Sequence, residues 1–163
     1  MAFSDWSSER LEQLRRWILY VLVFGLLGTE TELLLLEHYC EFWQLVPLFL
    51  ITVAIASVVW HAMRNDTASL RTLQIIMVLF LVAGFAGVAL HFRGAAAFAL
   101  DTNPSIDKWA LVKKVMRTQA PPVLAPGVML QLGLIGLAYA FSDSLIKRSS
   151  GHEGKTAVER SNS

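Results

Sequence analysis

Cysteine and charge are scarce in this chain. A single cysteine, Cys40, stands among 163 residues, which rules out an intrachain disulfide or a CxxC redox pair within one chain. Only 17% of the residues are Asp, Glu, Lys or Arg, against roughly a quarter in a soluble domain. The net charge of +1 leaves no basic or acidic excess to recognise nucleic acid or an acidic partner. Also missing are an HExxH run, a Glu-x-x-His pair within one helix, a glycine-rich phosphate loop and a nucleophile–base pair. The balance leans away from an enzyme.

Apolar residues are abundant instead. They make up 55% of the chain, with a mean hydropathy of +0.50, and they fall in runs long enough to cross a bilayer. That composition defines an all-α integral membrane protein. The first apolar run begins near Trp17, is too long for the core of a signal peptide and has no small-x-small cleavage site behind it. It reads as a retained first span.

In chain order, residues 1–16 form a polar lead in which Phe3, Trp6, Leu11 and Leu14 are spaced for a short amphipathic helix at the membrane interface,. Arg15 and Arg16 mark its boundary. Four transmembrane helices are predicted, over residues 17–36, 45–63, 72–92 and 122–141, with Pro47 in the first turn of the second, where its missing N–H costs little. Between the third and fourth spans, Asn103-Pro104 suits a helix start, Asp107 a first turn, and Lys113, Lys114 and Arg117 a last turn. An amphipathic interfacial helix over 104–118 follows, and the polar residues 142–163 read as a disordered tail. The predicted architecture is therefore a four-helix transmembrane bundle with the lipid bilayer as its first partner. Gly84 and Gly87 with Ala83 and Ala86, and Gly133 and Gly136 with Ala140, provide small-residue faces. Such faces serve helix packing, partner subunits or a homo-oligomer.

Orientation follows from basic residues beside the spans. Arg15/Arg16, Arg64/Arg71 and Lys147/Arg148 share one side, which the positive-inside rule makes cytoplasmic. Both termini are then inside a cell (inner or plasma) membrane.

Polar residues concentrate in TETELLLLEHYCEFWQ, Thr29 to Gln44, which carries Glu30, Glu32, Glu37, His38 and Glu41. At about 1.5 Å rise per residue, Glu30 lies on the order of 10 Å below the outer end of its span, level with Gln131 on the fourth. A carboxyl at that depth is too short to reach water easily and calls for a partner. Steps of about 100° put Glu30, Leu34 and Glu37 on one stripe and turn Glu32 elsewhere. On the third span Gly84, Gly87 and Val88 carry His91 toward the bundle. On the second, Pro47, Ala54, Ser57 and His61 form a like stripe at the other end.

These placements support three functions. The first is an outward-facing polar cavity of Glu30, Gln131, Glu37, His38 and His91 that binds or transports a cation, a proton or a small polar solute. Carboxylate and imidazole at Glu37, His38 and His91 suit a divalent metal, although adjacent Glu37 and His38 cannot both face one centre from a regular helix. The second is a non-catalytic subunit or assembly factor of a larger membrane complex. The third is a haem- or metal-dependent redox protein, with a single haem between His38 and His91. Taken singly, Glu37, His38, Glu41 and His91 are also ordinary hydrated helix ends.

Overall fold

A computed structural model describes residues 3–37, 42–117 and 126–142, with side chains from Glu9 onward. Five helices and no strand occur among them: α1 Phe3–Leu35, α2 Phe42–Arg64, α3 Thr67–Thr102, α4 Lys108–Met116 and α5 Pro126–Ser142. Helices α1, α2 and α3 are long and apolar enough to cross a membrane, and α5 is a shorter apolar helix. Regular helix suits such a chain because every backbone N–H and C=O is satisfied within the segment. The hydroxyls of Thr29, Thr31, Thr52, Thr72 and Thr102 reach back to carbonyls one turn earlier, which spares the apolar surroundings an unbonded donor.

Several boundaries differ from expectation. The polar lead and the first predicted span are one continuous helix, because the pair Arg15–Arg16 does not interrupt helical geometry,. The third helix runs ten residues beyond Phe92, to Thr102, through the Ala-rich GAAAFAL, whose helix propensity is high. Its 36 residues span about 54 Å, well over the roughly 30 Å of a hydrocarbon core. The surface helix begins later than expected, since Asp107 rather than Asn103 caps it by accepting from Trp109 N–H at 3.0 Å. α2 begins at Phe42, so Pro47 lies inside the helix rather than in its first turn. Residues 118–125 and 143–163, which include the start of the fourth predicted span and the tail, lie outside the described residues.

The core is built from one stripe of each helix: Leu22, Leu26 and Leu33 of α1, Leu48, Ile51, Ala54 and Val58 of α2, Leu73, Ile76, Met77 and Phe80 of α3, and Met129, Leu132 and Tyr139 of α5. α3 and α5 pack antiparallel through reciprocal glycines. A Cβ on Gly84 would stand 2.7 Å from Leu130 Cγ, and one on Gly133 would stand 3.0 Å from the Met77 carbonyl oxygen. Gly87 receives Pro126, and Gly136 receives the Met77 side chain. The small-residue faces read from the sequence therefore pack against each other inside the chain.

Two turns use left-handed backbone. Asn65 (φ 48°) ends α2, a position where Asn is tolerated. Glu37 (φ 52°) stands just past α1, where Gly is the usual choice and a long side chain adds strain.

Candidate functional site

The bundle has two polar ends, the His61 end beside the α2–α3 turn and the Glu30 end where α1 finishes. At the His61 end the polar groups are enclosed. Ala54, Ser57 and His61 are all buried on one face of α2, as their spacing predicts. His61 is 2% exposed and Ser69 fully buried, with His61 Nδ1 2.9 Å from Ser69 Oγ. The Ser69 hydroxyl donates to the Asp66 carbonyl at 2.9 Å. Its proton is thus engaged, and Nδ1–H of His61 is the donor in the imidazole contact. Asp66 caps α3 by accepting from Ser69 N–H at 2.8 Å. That bond, then the Ser69 side chain and the positive charge of Arg64, hold the Asp66 carboxyl below its usual range,. Tyr139 of α5 meets the His61 ring edge-on at 6.0 Å, and Arg15 of α1 sits 5.9 Å above the Tyr139 ring. All four of these helices converge on this clasp. Ser57 Oγ is buried beside it with no hydrogen-bond partner.

The Glu30 end is open. Among the described residues Glu30 does not pair with Gln131, Arg93 or a histidine; its Oε1 accepts from Thr52 Oγ1 of α2 at 2.7 Å. Its Oε2 is buried without a hydrogen-bond partner. Gln131 faces outward, because the inward positions of α5 are taken by Leu132, Gly133 and Gly136. His91 is exposed as well: the Gly84–Gly87 stripe turns toward α5, and by the next turn α3 has run past the last described residue of that helix. Glu37 is exposed in its left-handed turn, since the inward stripe of α1 follows Leu22, Leu26, Glu30 and Leu33 rather than Leu34 and Glu37. Glu32 points elsewhere than Glu30, as its phase predicts, onto a groove of about 520 Å³ along α1 lined by Phe24, Leu27, Gly28, Thr31, Leu35 and Leu36.

Of the predicted cavity residues, none is hydrogen-bonded to another among the described residues. No group of three His, Cys, Asp or Glu that could hold a metal occurs there, and His38 and Glu41 lie outside them. The haem expectation shares His38 and is left with an outward-facing His91. Thr52 was missed, although it stands seven residues past the start of the second predicted span, close to the six by which Glu30 precedes the end of the first. Ser69 was missed too, and Asp66 with Ser69 three residues later is the capping spacing that points to it. No family model matches the chain, and neither a curated protein nor a solved structure matches it.

Proposed function

We propose that the chain is a non-catalytic membrane subunit, a four-span helix bundle whose work is to dock other membrane helices. In this reading α5 is the fourth span, completed by the apolar residues Pro122 to Ala125 ahead of it. Both termini lie on the cytoplasmic side of a cell membrane, and α4 rests along the outer interface with Trp109, Val112 and Met116 exposed to lipid,. One observation carries the reading: Glu32, Gln131, His91 and Arg93 face away from the bundle, while its interior, apart from Ser57, His61 and Ser69 at the closed end, is filled by apolar side chains and glycine contacts. A solute carrier needs the reverse arrangement. Charged and amide groups turned outward from an apolar bundle are expensive in lipid, and a partner helix relieves the cost. Cross-linking in intact membranes followed by native electrophoresis tests this. The expected result is an assembly larger than one 18.1 kDa chain, and a lone chain at every cross-linker concentration overturns it.

A second reading, binding or movement of a proton or cation at Glu30, is favoured by a hydrogen count. The single Thr52 hydroxyl proton faces two acceptors, Leu48 O at 2.9 Å and Glu30 Oε1 at 2.7 Å. With one proton for two acceptors, and Oε2 unpartnered among the described residues, the Glu30 carboxyl keeps the capacity to take up a proton or cation,. Glu30→Gln then abolishes proton-linked flux in liposomes while the bundle still assembles. A variant that fails to assemble makes Glu30 structural.

A further inference from the structure

We infer that the groove along α1 is filled by α3 of a second copy of this chain, with Glu32 of one copy paired to Arg93 of the next. The inference rests on the partner-docking reading above and names the partner.

α1 is the least covered of the three long helices: 17% of its apolar window is buried, against 28% in α2 and in α3. The uncovered surface includes the groove, where Phe24 is 81% exposed and a Cβ on Gly28 would meet nothing within 4 Å. Gly25, three residues earlier, would by contrast meet Leu132 of α5 at 2.5 Å. Gly28 thus offers the same close approach as the glycines of the α3–α5 seam, but no helix of this chain takes it. Glu32 stands in the wall of the groove and makes no ion pair among the described residues.

The opposite charge is on this same chain. Val82, Ala86, Ala89 and Arg93 are exposed, follow one another at helical spacing, and lie on the side of α3 turned away from Gly84 and α5. Arg93 also makes no ion pair among the described residues. Depth agrees. Gly25 lies against Leu132, and the neighbouring Gly133 lies against Leu81, so Gly25 and Leu81 share a level. Counting on, Arg93 stands five residues beyond the level of Glu32, about 7.5 Å, and an arginine leans toward the N-terminal side of its helix, back down to the carboxylate. α1 and α3 run in the same direction through the bundle, so two copies inserted alike bring them together in parallel. Ala86 and Ala89 then face Gly28 at close range. An α1–α1 contact would set Glu32 against Glu32, like charges with no counter-ion. The α1–α3 contact is head-to-tail, which closes into a ring when the rotation permits.

The test uses full-length chains with Cys40→Ser, co-expressed with two different tags, one carrying Glu32→Cys and the other Arg93→Cys. Mild oxidation of native membranes is expected to give a mixed-tag disulfide dimer, and little from Glu32→Cys alone. In parallel, single-molecule photobleaching in bilayers measures self-association of the otherwise native protein. Glu32→Arg is expected to weaken it roughly tenfold, the size of one interhelical polar pair, and Glu32→Arg with Arg93→Glu to restore it. Preferential Glu32–Glu32 cross-linking, or a double swap that restores nothing, overturns the pairing. A wild-type protein that is monomeric in bilayers overturns self-association. If it nevertheless migrates in a larger assembly in cell membranes, the docking reading stands with a different partner, and if it is a lone chain there too, both fall.

Discussion

The two polar ends of the bundle contain similar residues and use them in opposite ways. At the His61 end, a histidine, a serine, an aspartate, a tyrosine and an arginine from four helices or their turns lie against one another, and His61 and Ser69 are sealed from solvent. At the Glu30 end, Glu30, Glu32, Gln131, His91 and Arg93 lie on three helices, and of these five only Glu30 makes a side-chain hydrogen bond among the described residues, to Thr52 of α2. Polar groups bonded to each other inside one chain specify that chain's fold, and polar groups left outside it specify what it meets. On the proposed reading, the first end holds the bundle together and the second meets partners.

Breaking the scaffold beneath both ends should have the largest effect. Gly133→Leu drives a side chain into the Met77 carbonyl and Leu81, and overpacking of this kind costs about 1–3 kcal/mol or more. Unfolding in detergent micelles should show lost stability, with α5 becoming accessible to proteolysis. Next, His61→Ala removes the donor that Ser69 accepts from and opens space under Tyr139, at a cost of roughly 1–3 kcal/mol, whereas Gln131→Leu should stay within about 0.5 kcal/mol. Equal losses for the two would erase the contrast between the ends. Thr52→Val tests the contact to Glu30 at the open end and should cost about 0.5–1.5 kcal/mol in the same assay. Glu37→Gly relieves the left-handed strain past α1 and should raise stability by roughly 0.5 kcal/mol.

The last effect is a pH dependence confined to the His61 end. The Asp66 carboxyl is held below its ordinary range by its bonds to Ser69. A group depressed on folding stabilises above its unfolded value, and that contribution disappears as pH falls through the folded one. Wild type should therefore lose melting temperature as pH falls below about 4, and Asp66→Asn should lose less. Parallel curves for the two proteins would show that the cap does not carry the effect.

Much of the fold was legible because hydropathy and small-residue spacing are local signals. The apolar runs announce α1, α2 and α3, and Gly84, Gly87, Gly133 and Gly136 announce close packing. The Ser57–His61 stripe falls where its period puts it. Helix ends were less legible, since charged residues such as Arg15, Arg16 and Arg93 break an apolar run without ending a helix,. The candidate site was the least legible part. Depth along a span can be counted from its ends, but the side that faces the bundle is set by neighbours. Gln131 and His91 were placed inward on depth and stripe, and α5 turned its glycines inward instead. Glu30 was singled out correctly as a carboxyl needing a neighbour, yet the neighbour came from the adjacent helix α2.

The interlocked glycines of α3 and α5 also impose an order on biogenesis. Among the described residues α5 is an apolar helix of 17 residues, and it meets α3 through those glycines. Leu130 and Pro126 need the notches at Gly84 and Gly87, and Gly133 and Gly136 need Met77 and Leu81 already standing in place. During synthesis α1 to α3 can settle one after another as they leave the ribosome, while α5 has no stable seat until α3 is positioned. A nascent chain halted before α5 would then be a three-helix intermediate with an empty slot, recognisable to membrane quality control by the unfilled side of Met77.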